Sequence, residues 1–275
     1  MIVNRTRGLS PLPLKDLYEL EEVATESLDI ESKRHIEFLD QCFPDWNLHF
    51  SSPFHKKLLE LSISARLLAI RESDVFIDVA GGLYTYVGTV KAARKILQDR
   101  FISDHPKRKL LPRGVDSIES SAHEVPLPSS SVDKIACHHS FEHSRDTVDS
   151  LFIREVDRLL RPGGCACIVP LHLGKEYLEV TDNLATPKFD PSSRRVYDPT
   201  SPLPGGKFSG GLARIYSPRA LRRRVLNDID PKRIRTRIVD LRVEGAPAPN
   251  VKSDCHRIEK NVDFPYRASM LDKVI

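Results

Sequence analysis

The sequence predicts an α/β protein built on a doubly wound, mostly parallel sheet, and three observations carry that prediction. Short β-favouring runs, DVFIDVAGG, QDRFISDHP, VDSIES, VDKIACHH and CACIVPL, alternate with helical stretches through the middle of the chain. That alternation is the signature of a parallel sheet wrapped by helices. Between two of the runs, Val148, Leu151, Phe152, Val156, Leu159 and Leu160 recur at helical spacing up to Arg161-Pro162-Gly163-Gly164, where proline forbids continuation and glycine supplies a turn. Finally, Asp78-Val79-Ala80-Gly81-Gly82 follows an apolar strand and precedes a helix. Open α/β sheets bind ligands at such strand ends, where glycines admit a ligand close to the backbone and the next helix offers free N–H groups.

Taken in order, Leu14, Leu17, Leu20, Val23, Ile36 and Leu39 fall at helical spacing among acids and bases, which predicts one or two amphipathic helices. Residues 1–52 are accordingly expected to form an N-terminal helical cover, and residues 53–275 the main domain. Ser52-Pro53 is a good cap and first-turn pair for a helix carrying Leu58, Leu59, Leu61, Leu67 and Leu68 and ending near Arg71. After the first strand a helix is expected from Val87 to Leu97, then a strand that ends at Asp104. From His172 to Ile215 the chain is rich in Pro and Gly. A loop that long inside a compact domain points to function or a mobile insertion, and we read about 174–215 as a substrate lid, with a surface insertion as the alternative. Ser217-Pro218 then caps a helix to about Asn227, and RIRTRIVDLRV and SMLDKVI are two final strands.

Composition narrows the function classes. The 275 residues are 40% hydrophobic and 29% charged, with 42 Lys+Arg against 38 Asp+Glu, which fits neither a disordered chain nor a membrane protein. No apolar run approaches the ~20 residues that span a bilayer, and no secretory pattern opens the chain, so a cytoplasmic protein is expected. Five cysteines without a C-x-x-C pair read as reduced thiols rather than a disulfide framework or a zinc knuckle. A net charge of +4 is too mild for a nucleic-acid binder. Its one concentration, from Arg219 to Arg237, reads as a solvated helix face and an edge strand, with an anion-binding surface as the alternative.

Asp104 lies about 20 positions beyond Gly82, where an acid normally holds a ribose hydroxyl pair in a nucleotide-binding crossover. No G-x-G-x-x-G or G-x-x-x-x-G-K-[ST] is present. His139-Ser140-Phe141-Glu142-His143 matches H-x-x-E-H, an inverted zinc-peptidase pattern. That motif needs a helix and a third ligand. Here it begins at a strand end, and no Glu stands between Glu179 and Glu244 to supply the ligand, so no metal site is expected.

Three segments, FIDVAGG, SSAHEVPLPSSSVDKIACHHSFEHS and REVDRLLRPGGCACIVPL, occur in an order that resembles class I S-adenosylmethionine-dependent methyltransferases of the ubiquinone and sterol type, over about Phe54 to Leu173. The resemblance implies a Rossmann-like doubly wound sheet whose last strand is antiparallel, and S-adenosylmethionine as cofactor. It also implies that Asp78, Ala80, Gly81 and Gly82 line the methionine end, that Asp104 holds the ribose, that Ser121 and Ala122 flank the adenine, and that His138 and His139 sit beside the transferable methyl group. The chain departs from the family pattern at Ala80 and Tyr84, where glycines are usual, and at Ser121, where an acid is usual. Tyr84 either offers its ring face to the sulfonium, worth ~0.5–2 kcal/mol, or packs outward.

Methyl transfer needs alignment and, for a hydroxyl acceptor, a base. Histidine suits that role, and His143, His139 and His172 project from strand ends or the loops after them, with His143 first in line; some of these histidines could instead only pack or hydrogen-bond. The expected function is methylation, at oxygen, of a small polar acceptor such as a sugar or secondary metabolite. A catalytically inactive scaffold and an RNA methyltransferase are the alternatives. The expected partner is a small-molecule substrate, with no nucleic acid and no membrane, and the oligomeric state is left open.

Overall fold

Alternation along the strands sorts the apolar residues of this chain into two layers. The computed structural model describes residues 3–4, 16, 20, 23–43, 45, 47, 53, 55–81, 86–104, 113–182, 187–197, 212–243, 246–247 and 267–274. Its elements run β1 (Val3–Asn4), β2 (Val23–Ile30), α1 (Ser32–Cys42), α2 (Lys56–Leu68), β3 (Val75–Val79), α3 (Tyr86–Thr89), β4 (Arg94–Asp99), β5 (Val115–Glu119) and β6 (Val132–His138). They continue with α4 (Val148–Leu159), β7 (Leu160–Val169), β8 (Leu178–Thr181), β9 (Arg194–Tyr197), β10 (Leu212–Ile215), α5 (Pro218–Arg224), β11 (Ile234–Val243), β12 (Ala246–Pro247) and β13 (Arg267–Lys273).

The main sheet has the spatial order β5-β4-β3-β6-β7-β13-β11, with β2 and β12 pairing to β11. From β5 to β7 every neighbour is parallel, and β13 runs antiparallel to both β7 and β11, as expected of the last strand. Ile77, Ile135, Ala166 and Ile168 face one layer with α4 and α5, while Phe76, Ala136, Cys167 and Val169 face the other with α2 and α3. Both faces are therefore covered, which explains the near-continuous apolar runs of β3, β6 and β7. Within β7, where it passes the start of β6, Gly164 is required, because a Cβ there would lie 2.8 Å from the Asp133 carbonyl oxygen. Cys42, Cys137, Cys165 and Cys167 are free thiols, and no described helix is long and apolar enough to cross a membrane.

Three local expectations are corrected. Val23–Ile30 is a strand rather than part of a helix: it lies parallel along β11, from Val23 opposite Thr236 to Ile30 opposite Val243, so backbone pairing with the sheet outweighs its helical spacing. Ser32–Cys42, after it, is helical. The stretch read as a helix from Val87 to Leu97 contains a single short helix and then β4, in which Ile96 and Leu97 enter opposite layers. A short apolar run buried on both sides does not declare its period. The Pro/Gly-rich segment holds β8, β9 and β10, which with β1 form a second, four-stranded sheet ordered β1-β9-β8-β10. The helix ending near Arg71 and the cap of α5 follow expectation more closely: α2 ends at Leu68, although His55 rather than Ser52 caps it, and the Ser217 hydroxyl accepts from the Ala220 N–H.

Candidate active site

Parallel strands end together, so their carboxyl ends gather several loops at one edge of the sheet. Here those loops enclose a cavity of about 390 Å³, within the usual range for small-molecule sites. One side is built from Ala80 after β3, Gln98 and Asp99 at the end of β4, and Ser121, Ala122 and His123 after β5. The other is built from the loop after β6 and the first turns of α4, with Phe141, His143, Arg145, Val148 and Phe152.

The first side is tightly tied. Ala80 takes φ 53°, a conformation that costs a residue with a Cβ about 1–2 kcal/mol, and its N–H donates to Gln98 Oε1 at 3.2 Å. Gln98 Nε2 in turn donates to the Ser120 carbonyl at 2.7 Å. Gly81 has no room for a side chain: a Cβ would sit 2.6 Å from Leu97 Cδ1 and 2.8 Å from Asp78 Oδ2. Asp99 closes β4, and its Oδ1 accepts from its neighbour's backbone N–H at 2.6 Å. Beside Ser121 and Ala122, the Nδ1 of His123 is shut off from solvent with no hydrogen-bond partner among the described residues.

Histidines and carboxylates dominate the loop after β6. His138 leaves the sheet on the face opposite Cys137; its Nδ1 donates to the buried Asp78 Oδ1 at 3.3 Å, and its ring meets Tyr86 edge-on at 5.4 Å. His139, in the left-handed region at φ 47°, lies between two buried carboxylates, with Nδ1 3.1 Å from Glu142 Oε1 and Nε2 2.7 Å from Glu60 Oε1. His143 lines the cavity, its Nδ1 2.5 Å from the Leu212 carbonyl oxygen of β10 and its Nε2 3.7 Å from Glu142 Oε1. Burial opposes ionisation of Glu142, but the charges of His143, His139 and His172 and the hydrogen bond from His139 hold its carboxyl well below the usual carboxylate range. The H-x-x-E-H motif thus spans a strand end and a single 3-10 turn, Phe141–His143, so its histidines do not share a helix face.

A second buried network holds β10, and with it the Leu212 carbonyl, in place. Asp149 of α4 is fully buried and accepts from the Tyr216 hydroxyl at 2.8 Å and from Arg224 Nε at 2.7 Å, while Arg214 Nη1 lies 3.0 Å away. Arg224 also donates to Asp190 at 2.6 Å, and Arg214 reaches Glu179 of β8 at 3.5 Å. The basic residues from Arg219 to Arg237 are mostly exposed, as a solvated face requires, and are neutralised in part. Arg223 and Arg224 pair with Asp190, Arg233 with Asp157, and Arg237 with Asp272 and Glu26.

Of the residues anticipated from sequence, Ala80, Ser121, Ala122 and His143 line the cavity, and Asp78, Gly81, His138, His139 and His172 belong to the strand ends and loops around it. Gly82 and Tyr84 lie outside the described residues. Asp104 does not end a strand. It is exposed and helical, five residues past Asp99, which takes the strand-end position that the argument for an acid required. Glu60 and Arg145 were not anticipated. The signal for Asp99 was present in RKILQD, had its two-sided burial been recognised; nothing in the sequence ties Glu60 to the histidines.

Comparison with known proteins adds the following. The family model of a methyltransferase domain matches residues 80–168. None of the curated proteins matches the chain in sequence. Among solved structures, the YcgJ protein from Bacillus subtilis is 19% identical, with 42% of this chain and 51% of that chain covered and a TM-score of 0.39; this chain thus spans about half of that protein. A chain from the complex between the Haloferax volcanii Trm112 methyltransferase activator and a proposed methyltransferase is 12% identical, covering 88% of this chain and 94% of that one with a TM-score of 0.51. A SAM-dependent methyltransferase from Thermotoga maritima is 13% identical over 88% of this chain and 100% of its own, with a TM-score of 0.49.

Proposed function

On the match of residues 80–168 to a methyltransferase domain, we propose that this chain is a class I S-adenosylmethionine-dependent methyltransferase and that it methylates a small polar acceptor, a sugar or a secondary metabolite, at oxygen, in the cavity at the carboxyl ends of β3, β4 and β6. The observation that carries this reading is the setting of His143. A carbonyl oxygen only accepts, so the contact with Leu212 puts the proton of the neutral ring on Nδ1 and leaves the lone pair on Nε2. A hydroxyl acceptor gives its proton to that Nε2, and the Glu142 carboxylate 3.7 Å away stabilises the imidazolium that forms. Burial opposes ionisation of Glu142, but the histidines around it hold its carboxyl below the usual carboxylate range.

Bound S-adenosylmethionine supplies the electrophilic methyl carbon. The residues present fit it: Asp99 offers a carboxylate oxygen to the ribose hydroxyls, the buried Nδ1 of His123 offers a partner to the adenine edge, and Ala80 and Ala122 leave room for close approach. Asp99 thus takes the role first assigned to Asp104. The non-catalytic scaffold rests on the altered loop at Ala80. The φ of 53° there is the one glycine would hold without strain, so Ala80 keeps the backbone conformation a glycine would take at that position, which supports the enzyme reading.

The test is an assay of S-adenosylhomocysteine release over a panel of sugars and phenols. With the responding acceptor, His143→Ala lowers kcat by about 10²–10⁴ and leaves S-adenosylhomocysteine affinity within about twofold. Full activity of His143→Ala refutes the base assignment, and no release with any acceptor despite tight S-adenosylhomocysteine binding favours the scaffold.

A further inference from the structure

Most arginines held within this fold face a carboxylate. Arg158 pairs with Glu155, Arg224 with Asp149 and Asp190, Arg237 with Asp272, and Arg267 with Asp240. Arg145 is different. It is half-buried and lines the cavity, yet among the described residues no carboxylate pairs with it; its guanidinium lies 5.6 Å from the centre of the Phe189 ring. Stacking on an aromatic face fixes the plane of a guanidinium without neutralising it. On its side of the cavity, from Ser140 to Phe152, Arg145 is the only Asp, Glu, Lys or Arg among the lining residues, and Phe141, Val148 and Phe152 supply apolar wall.

We propose that this side of the cavity binds an acceptor bearing an anionic group, a carboxylate or a phosphate, on an apolar body, with Arg145 as the residue that selects for the anion. The proposal deepens the methyltransferase reading and rests on it for the word acceptor. A planar guanidinium matches carboxylate and phosphate oxygens two at a time, and charge-assisted pairs of that kind are about twice as strong as neutral hydrogen bonds. The apolar wall raises the strength of the pair by excluding water. His143, two residues before Arg145 in the same loop, is then placed to act on a hydroxyl of a molecule anchored by its charge.

The experiment titrates benzoate, phenyl phosphate, benzamide and benzyl alcohol into the full chain, with and without S-adenosylhomocysteine, by calorimetry. One or both anions bind about tenfold or more tightly than the neutral probes, and whether benzoate or phenyl phosphate is tighter distinguishes a carboxylate from a phosphate site. Arg145→Gln abolishes the preference while S-adenosylhomocysteine affinity stays within about twofold, and Arg145→Lys keeps part of it. Equal binding of anions and neutral probes, no binding of either anion at millimolar concentration, or an anion preference unchanged in Arg145→Gln overturns the proposal. If S-adenosylhomocysteine fails to bind while the anions still bind through Arg145, the methyltransferase reading fails and the anion site stands. The reverse pattern sinks only the anion site.

Discussion

Replacing Asp149 by Asn tests how the second sheet is fastened to the catalytic layer. Asp149 is fully buried and meets three partners, the Tyr216 hydroxyl, Arg224 and Arg214. Asn preserves the shape but removes the charge, leaving two buried guanidiniums with Asp190 and Glu179 as their remaining carboxylates. Removing one member of a buried ion pair costs about 3–5 kcal/mol. For a chain of this size each kcal/mol is worth roughly 2–4 °C in Tm, so a drop of about 10 °C is expected in thermal melts, with a matching shift in urea midpoint. Tyr216→Phe, which removes one neutral donor, should cost only about 1 kcal/mol. Combining Asp149→Asn with Arg224→Met should cost less than the sum of the two, since the second change removes a charge the first left unpaired. The same loosening releases β10 and the Leu212 carbonyl, so kcat falls more than S-adenosylhomocysteine affinity does. A loss of stability below about 1 kcal/mol for Asp149→Asn would refute the claim that this network clamps the sheet.

Adjacent positions in the first loop should respond with opposite signs: Gly81→Ala forces a Cβ against Leu97 and Asp78 and costs about 1–3 kcal/mol, whereas Ala80→Gly relieves a left-handed backbone and gains about 0.5–1 kcal/mol, both read from urea unfolding. Burial lowers the pKa of His35 despite the hydrogen bond from its Nε2 to the Pro53 carbonyl at 2.7 Å. Its folded pKa lies below its unfolded value, so its contribution is complete above pH ~6.5 and is lost as pH falls from there through the folded pKa. His35→Gln should therefore flatten the stability curve in that window, and an unchanged slope would remove His35 as its cause.

The sheet was legible because β3, β6 and β7 are buried on both faces and α4 carries a strongly periodic apolar stripe. What failed were segments whose state is decided from outside. Val23–Ile30 is a strand only because β11 presents an edge to it, and Arg94–Asp99 because β3 and β5 flank it. That second difference moved the expected strand end from Asp99 to Asp104, and the expectation of a ribose-binding acid moved with it. His143 was placed at the cavity because strand ends in a parallel sheet converge, and Ser121-Ala122 through the family resemblance. Glu60 was not, since it reaches His139 from a helix nearly eighty residues earlier, and no local pattern records such a contact. Arg145 escaped notice because an arginine in a polar loop looks solvated until its missing carboxylate is seen.

The central claim, that the cavity at the strand ends holds the methyl donor through the acid closing β4, is tested most directly by calorimetric titration of S-adenosylhomocysteine into wild type, Asp99→Ala and Asp104→Ala. The account predicts binding by wild type, a loss of about tenfold to a hundredfold in Asp99→Ala, as hydrogen bonds to a charged acceptor are worth about 1.5–3 kcal/mol, and no more than a twofold change in Asp104→Ala. Wild-type protein that binds no S-adenosylhomocysteine, or affinity lost in Asp104→Ala but kept in Asp99→Ala, would contradict it.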